Sequence, residues 1–187
     1  MTRFMLMRKS PHQPVHKPDP ATYGHLAVLV LEDSPHLVGV VCGILKSFGV
    51  GKIYAAQDAG DALFILANQR VDVAVIDELK PPHDGLTLVR TIRTAAAQLP
   101  NELPIIYLTE VPHQGAIIAA RDAGVTEVLS KPFSASQLMT RIASALHNPR
   151  PLVRSEDFVG PDRRRRTKEP TRKKRRADMA TVPATAS

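Results

Sequence analysis

Tryptophan is absent from these 187 residues, and aromatic side chains make up only 4% of them. A core built from such a chain must rest on aliphatic residues. Cysteine occurs once, at Cys42, which excludes a disulfide framework within one chain. Its apolar neighbours mark it as a buried structural thiol. No apolar run approaches the roughly 18–20 residues that a membrane span requires. The N-terminal FMLM is too short for a signal-peptide core and runs into Pro/His-rich sequence. The expectation is a soluble, cytoplasmic protein. His12 and His16 stand four apart in that proline-rich arm, and no His/Cys cluster has zinc spacing.

Charge is spread unevenly. Residues 1–149 carry 13 Lys/Arg and 13 Asp/Glu, whereas residues 150–187 carry 12 and 5, so the whole net charge of +7 lies in the last segment. Composition divides the chain the same way. Residues 1–24 read as a disordered arm, 25–148 as one domain, and 149–187 as a basic, low-complexity tail without a core of its own.

Within the central segment short apolar runs alternate with helical periodicity. LAVLVL (26–31) suits a strand covered on both faces. It stops at Glu32-Asp33, and Ser34-Pro35 supply an N-cap and a first-turn proline. Leu37, Val40, Val41, Ile44, Leu45 and Phe48 then mark one helical face, ended by Gly49. KIYAA (52–56), VDVAVID (71–77), PIIYLT (104–109) and TEVLS (126–130) read as further strands. Helices start at Asp58, near Asp84, at Pro112 and at a Ser134/Gln137 capping box. Five β-α units predict a doubly wound parallel sheet of flavodoxin-like type, with strand order 2-1-3-4-5 and disordered tails at both ends.

All strand C-termini of such a sheet lie on one edge, where ligands bind. Glu32 and Asp33 end the first strand, Asp77 the third and Thr109 the fourth, while Lys131 follows the fifth. Three carboxylates meeting in one cleft need a cation, and a hard divalent ion such as Mg²⁺ suits oxygen donors. Thr109 adds a hydroxyl and Lys131 a compact positive charge.

In these residues the segment from about Leu26 to His147 resembles the receiver domain of response regulators (CheY-like). The acidic pair is Glu32-Asp33. The acceptor Asp77 is followed by Pro81, Asp84 and Gly85. Thr109 and Lys131-Pro132-Phe133 complete the pattern, with gaps of 44 residues from Asp33 to Asp77 and 22 from Thr109 to Lys131. The resemblance implies that Asp77 accepts a phosphoryl group from a histidine kinase or phosphotransferase in a two-component phosphorelay. It implies that Glu32 (through water), Asp33, Asp77 and the backbone carbonyl of Leu79 hold Mg²⁺. Thr109 and Lys131 would contact the phosphoryl group, and Pro81-Pro82 and Gly85 would shape the loop. Such a protein signals by contact, through the face made by the fourth helix, fifth strand and fifth helix. It is not a dedicated enzyme, beyond losing its own phosphoryl group.

The chain departs from the family at the position three before the lysine. An aromatic ring is usual there, and Val128 has none. Glu110 replaces the common small residue after the threonine, and Lys80 a common hydrophobic one.

From Arg163 to Arg176 there are ten Lys/Arg and one acid, Glu169. Arg163, Arg164, Arg165, Arg166, Arg172, Lys173, Lys174, Arg175 and Arg176 carry most of that charge, which would attract a polyanion with strong salt dependence. RNA is the foremost ligand class. DNA, an acidic protein, an anionic membrane surface, a cyclic dinucleotide and a purely solubilising role stay open. Two hypotheses follow. The first is a phosphorelay receiver without a folded output domain. The second is a phosphorylation-independent adaptor with a receiver fold, whose Arg-rich tail does the binding.

Overall fold

A computed structural model describes residues 23–79, 84–95, 99–110, 113–147, 152–155 and 158–162. Strands β1 (Ala27–Leu31), β2 (Lys52–Ala56), β3 (Val73–Asp77), β4 (Ile105–Thr109) and β5 (Glu127–Ser130) form one parallel sheet in the order β2-β1-β3-β4-β5. Helices α1 (Pro35–Ser47), α2 (Ala59–Asn68), α3 (Gly85–Thr94), α4 (Gln114–Ala123) and α5 (Ala135–His147) connect and follow them. The expected doubly wound fold is the observed one.

Alternation along the strands divides the core in two. Leu29, Leu31, Ala74, Ile76, Ile105 and Tyr107 point to the layer that α2, α3 and α4 cover. Val28, Val30, Val73, Val75, Ile106 and Leu108 point to the layer beneath α1 and α5. β1, β3 and β4 are buried along their whole length, which is why they read as unbroken apolar runs. Each fully buried Val, Leu or Ile adds about 1.5–3 kcal/mol.

The helix starts follow local chemistry. The side chains of Ser34, Asp58 and Asp84 accept hydrogen bonds from the backbone N–H groups of Leu37, Asp61 and Leu86. Ser134 and Gln137 form the expected capping box, since each side chain accepts from the other's backbone N–H.

Four expectations change. α4 is capped by the His113 ring, whose Nδ1 accepts from Ala116 N–H at 3.0 Å, and not at Pro112, which lies outside the described residues. The domain begins before residue 25. Tyr23 is buried in the α1–α5 layer, and its carbonyl accepts from Leu26 and Gly51 N–H. The apolar stripe of α1 is wider than the sheet can cover, so Val41 and Leu45 are buried while Val40 is exposed. Finally, part of the expected structureless tail is ordered. β6 (Leu152–Ser155) and β7 (Phe158–Pro161) form an antiparallel ribbon, with β7 packed on α3 and α4 and its Gly160 and Pro161 buried.

Candidate functional site

Parallel register sets the site. Leu31 pairs with Ile76, so Glu32 and Asp77 emerge side by side from the centre of the sheet. Asp77 lies opposite Leu108 and Thr109 opposite Ser130, which brings Lys131 to the same edge. One carboxylate oxygen each from Glu32, Asp33 and Asp77 lies within 4.8 Å of the others. Glu32 and Asp77 are buried and Asp33 is exposed. The Lys131 ammonium sits between the two buried acids, 2.5 Å from Asp77 Oδ1 and 3.1 Å from Glu32 Oε2. The remaining Glu32 oxygen accepts from Ser34 N–H at 3.1 Å.

The electrostatics follow from that geometry. Burial, and beyond it the charge of Asp77, holds the Glu32 carboxyl above its usual pKa against the hydrogen bond from Ser34 N–H and the pull of Lys131. Burial alone would lower the pKa of Lys131. Hydrogen bonding and attraction from Asp77, then from Glu32, outweigh it and raise that pKa. Asp77 Oδ1 is buried without a well-directed hydrogen bond, and the nearby ammonium is what offsets its charge. Clustered oxygen donors with more negative than positive charge fit a small divalent cation.

Leu79, two residues beyond Asp77, has φ 58°, a left-handed backbone that costs a branched side chain about 1–2 kcal/mol. It is held there by its buried side chain. Gly85 opens α3 where only a hydrogen fits, because a β-carbon would collide with the Asp77 carbonyl oxygen and meet the Tyr107 ring at 3.1 Å.

Thr109 is buried, and its hydroxyl donates to Glu78 Oε2 at 2.8 Å. Glu110 is exposed and borders an apolar cavity that Leu37, Val40, Ile44 and Phe133 also line. Val128 is half-buried and pairs in register with Tyr107, so the ring missing from β5 has an aromatic neighbour on β4. Burial, then the charges of Glu78, Asp84 and Asp77, push the Tyr107 phenol well above its usual pKa.

The sequence-predicted set of Glu32, Asp33, Asp77, Thr109 and Lys131 thus shares one sheet edge. Lys80, Pro81, Pro82 and the basic residues from Arg163 to Arg176 lie outside the described residues. Sequence reasoning gave no special part to Glu78 or Tyr107. The only signal for Tyr107 was its place two residues before Thr109, on the face opposite the leucine between them. Nothing local marked Glu78.

Residues 28–143 match the family model for the response regulator receiver domain, and the chain belongs to that family. Among curated relatives it is 34% identical to the response regulator MprA of Mycobacterium sp. (strain KMS) over 105 residues, covering 56% of this chain and 44% of that protein. It is 32% identical to MprA of Mycobacterium bovis (strain BCG / Pasteur 1173P2) over 113 residues, covering 60% and 47%. The chain therefore spans somewhat under half the length of these relatives. Among solved structures, the receiver domain of the Francisella response regulator 1452 superposes with TM-score 0.59 at 26% identity, covering 66% of this chain and 98% of that one. The chemotaxis response regulator CheY4 of Vibrio cholerae gives 0.59 at 26%, covering 65% and 98%.

Receiver domains are signalling modules of two-component systems rather than dedicated enzymes. They work with histidine kinases or phosphotransferases and bind Mg²⁺ through an acidic cluster of the kind Glu32, Asp33 and Asp77 make here. No described helix is long and apolar enough to cross a membrane.

Proposed function

We propose that Asp77 is the phosphoacceptor of this receiver domain. The observation that carries the reading is the Lys131 ammonium between the buried carboxylates of Asp77 and Glu32, with Asp33 beside them. In the transfer, an Asp77 carboxylate oxygen attacks the phosphorus of a phosphohistidine. The O–P bond forms, the P–N bond breaks, and its electron pair returns to the imidazole. Lys131 then exchanges its contact with Asp77 for one with the incoming phosphoryl oxygens. The Thr109 hydroxyl donates to the same group. Glu32, Asp33, Asp77 and the Leu79 carbonyl are the residues that would hold Mg²⁺, which supplies charge neutralisation for the phosphoryl oxygens.

The face of α4, β5 and α5 is the surface through which the signal would reach a downstream protein. Val128 leaves that face without the usual ring on β5, so coupling would run through residues other than an inward-turning aromatic.

The ten Lys/Arg between Arg163 and Arg176 favour a second reading, in which the chain is an adaptor that binds RNA, DNA or another polyanion whether or not Asp77 is modified.

Intact-mass measurement after exposure to phosphoramidate or acetyl phosphate with Mg²⁺ tests the first reading. The expected gain is one phosphoryl group, requiring Mg²⁺ during the reaction and absent in Asp77→Asn. No gain with either donor or with a panel of histidine kinases would transfer the function to the basic segment. Salt-dependent RNA binding, unaltered in Asp77→Asn, would then be the result to expect.

A further inference from the structure

Glu78 is the residue next to the acceptor. Its side chain reaches across to the end of β4, where the Thr109 hydroxyl donates to Oε2 at 2.8 Å and the Glu110 backbone N–H donates to the same oxygen at 3.3 Å. A hydroxyl and an amide converging on one anionic oxygen make a small oxyanion pocket, and here a side chain of the protein fills it.

We propose that Glu78 is a positioning residue that competes with the phosphoryl group for the Thr109 hydroxyl and the Glu110 N–H. This inference rests on the reading of Asp77 as phosphoacceptor. Before transfer, the Glu78 carboxylate keeps both donors satisfied and ties the end of β4 to the end of β3. A phosphoryl group on Asp77 brings new anionic oxygens beside the same donors. Two anions sharing one pair of donors repel each other, so the Glu78 side chain swings out as the donors turn to phosphate. Glu78 thus sets how readily the phosphoryl state forms and links that state to release of Thr109 and Glu110 at the end of β4, a connection that needs no aromatic at Val128. The stretch of backbone that Glu78 releases includes Glu110, on the rim of the cavity facing α1.

The test uses the full chain with Mg²⁺ and beryllofluoride, a phosphoryl mimic that needs no kinase. Glu78→Ala removes the competitor, while Glu78→Gln keeps an accepting oxygen at the same reach without the charge. Because Glu78 is exposed, both variants should fold, which circular dichroism checks. Affinity for beryllofluoride should rise about tenfold in Glu78→Ala and by less in Glu78→Gln, the order expected when two hydrogen bonds to an exposed carboxylate, each weakened by competing water, are freed. In free Glu78→Ala the Glu110 amide proton resonance should move upfield of its wild-type position and return downfield on adding beryllofluoride. Equal affinity in all three proteins, or a Glu110 amide insensitive to Glu78→Ala, overturns the proposal while leaving Asp77 as acceptor. Failure of all three to bind beryllofluoride, together with no mass gain from phosphoryl donors, overturns both readings at once.

Discussion

Replacing Arg93 with alanine should destabilise the domain by about 2–5 kcal/mol, and the size of the loss can be built from its surroundings. Arg93 lies near the end of α3 and is only 2% exposed. Its Nε donates to the Gly124 carbonyl that ends α4 at 2.9 Å, and Nη1 donates to the Asn101 carbonyl at 2.7 Å. Nη2 is buried with no hydrogen-bond partner among the described residues. Burial pushes the guanidinium from 12.5 down to about 10, so it stays charged at neutral pH at a cost of about 3 kcal/mol. Each hydrogen bond from a charged donor is worth about 1.5–3 kcal/mol, and the three stem methylenes about 0.8 kcal/mol each. The bonds and the stem together exceed the desolvation cost, so the side chain is a net stabiliser. Arg93→Met keeps most of the stem and should be milder by about 2 kcal/mol. Urea unfolding at pH 7, followed by far-UV circular dichroism, separates the three proteins. With a slope of about 2 kcal/mol per molar, the alanine variant should lose about 1–2.5 M of midpoint. A midpoint within about 0.3 M of wild type would refute the reasoning. So would a methionine variant as unstable as the alanine one, because stem burial would then count for nothing.

Gly85→Ala should destabilise by about 1–3 kcal/mol despite the higher helix propensity of alanine, because the new methyl meets the Asp77 carbonyl oxygen. Its phosphoryl uptake should also be slower than wild type. A variant with wild-type stability and labelling rate would show that the loop yields freely. Cys42 should alkylate with iodoacetamide at pH 7.5 several-fold more slowly than glutathione, since burial raises its thiol pKa against the smaller pull of Lys46. The thiol is half-buried at the edge of the core and not enclosed in it as its apolar neighbours suggested, so its rate should climb with pH up to that raised pKa, and a rate equal to glutathione at pH 7.5 would contradict even this partial shielding.

The parts of this molecule that were legible in its sequence are those where local chemistry and the fold agree. The apolar runs of β1, β3 and β4 announce strands covered on both faces, and Ser34, Asp58 and Asp84 announce helix starts that the backbone then uses. The edge residues were legible because a parallel sheet turns four separated positions, Glu32-Asp33, Asp77, Thr109 and Lys131, into neighbours. Glu78 was not, since its role depends on where a flexible side chain lays its carboxylate, 31 residues away in sequence at Thr109. Arg93 reads as a surface residue at the end of an amphipathic helix until the Gly124 and Asn101 carbonyls are seen to enclose it. The β6–β7 ribbon escaped because four-residue strands in proline-punctuated sequence carry too little periodicity, and their partner surface lies on α3 and α4.

That ribbon also determines the side of the domain from which the next residues depart. β7 packs on α3 and α4, with Gly160 and Pro161 buried. Asp162, the last described residue, therefore leaves the fold beside α3 and α4 and not at the end of α5. Were the proposed binding of a polyanion by the arginines from Arg163 onward to hold, the short connection to Asp162 would raise its effective concentration beside the domain into the millimolar range. If its grip favours one position of α4, the phosphoryl state that shares that position is favoured by the same factor, because linkage between two sites runs equally in both directions.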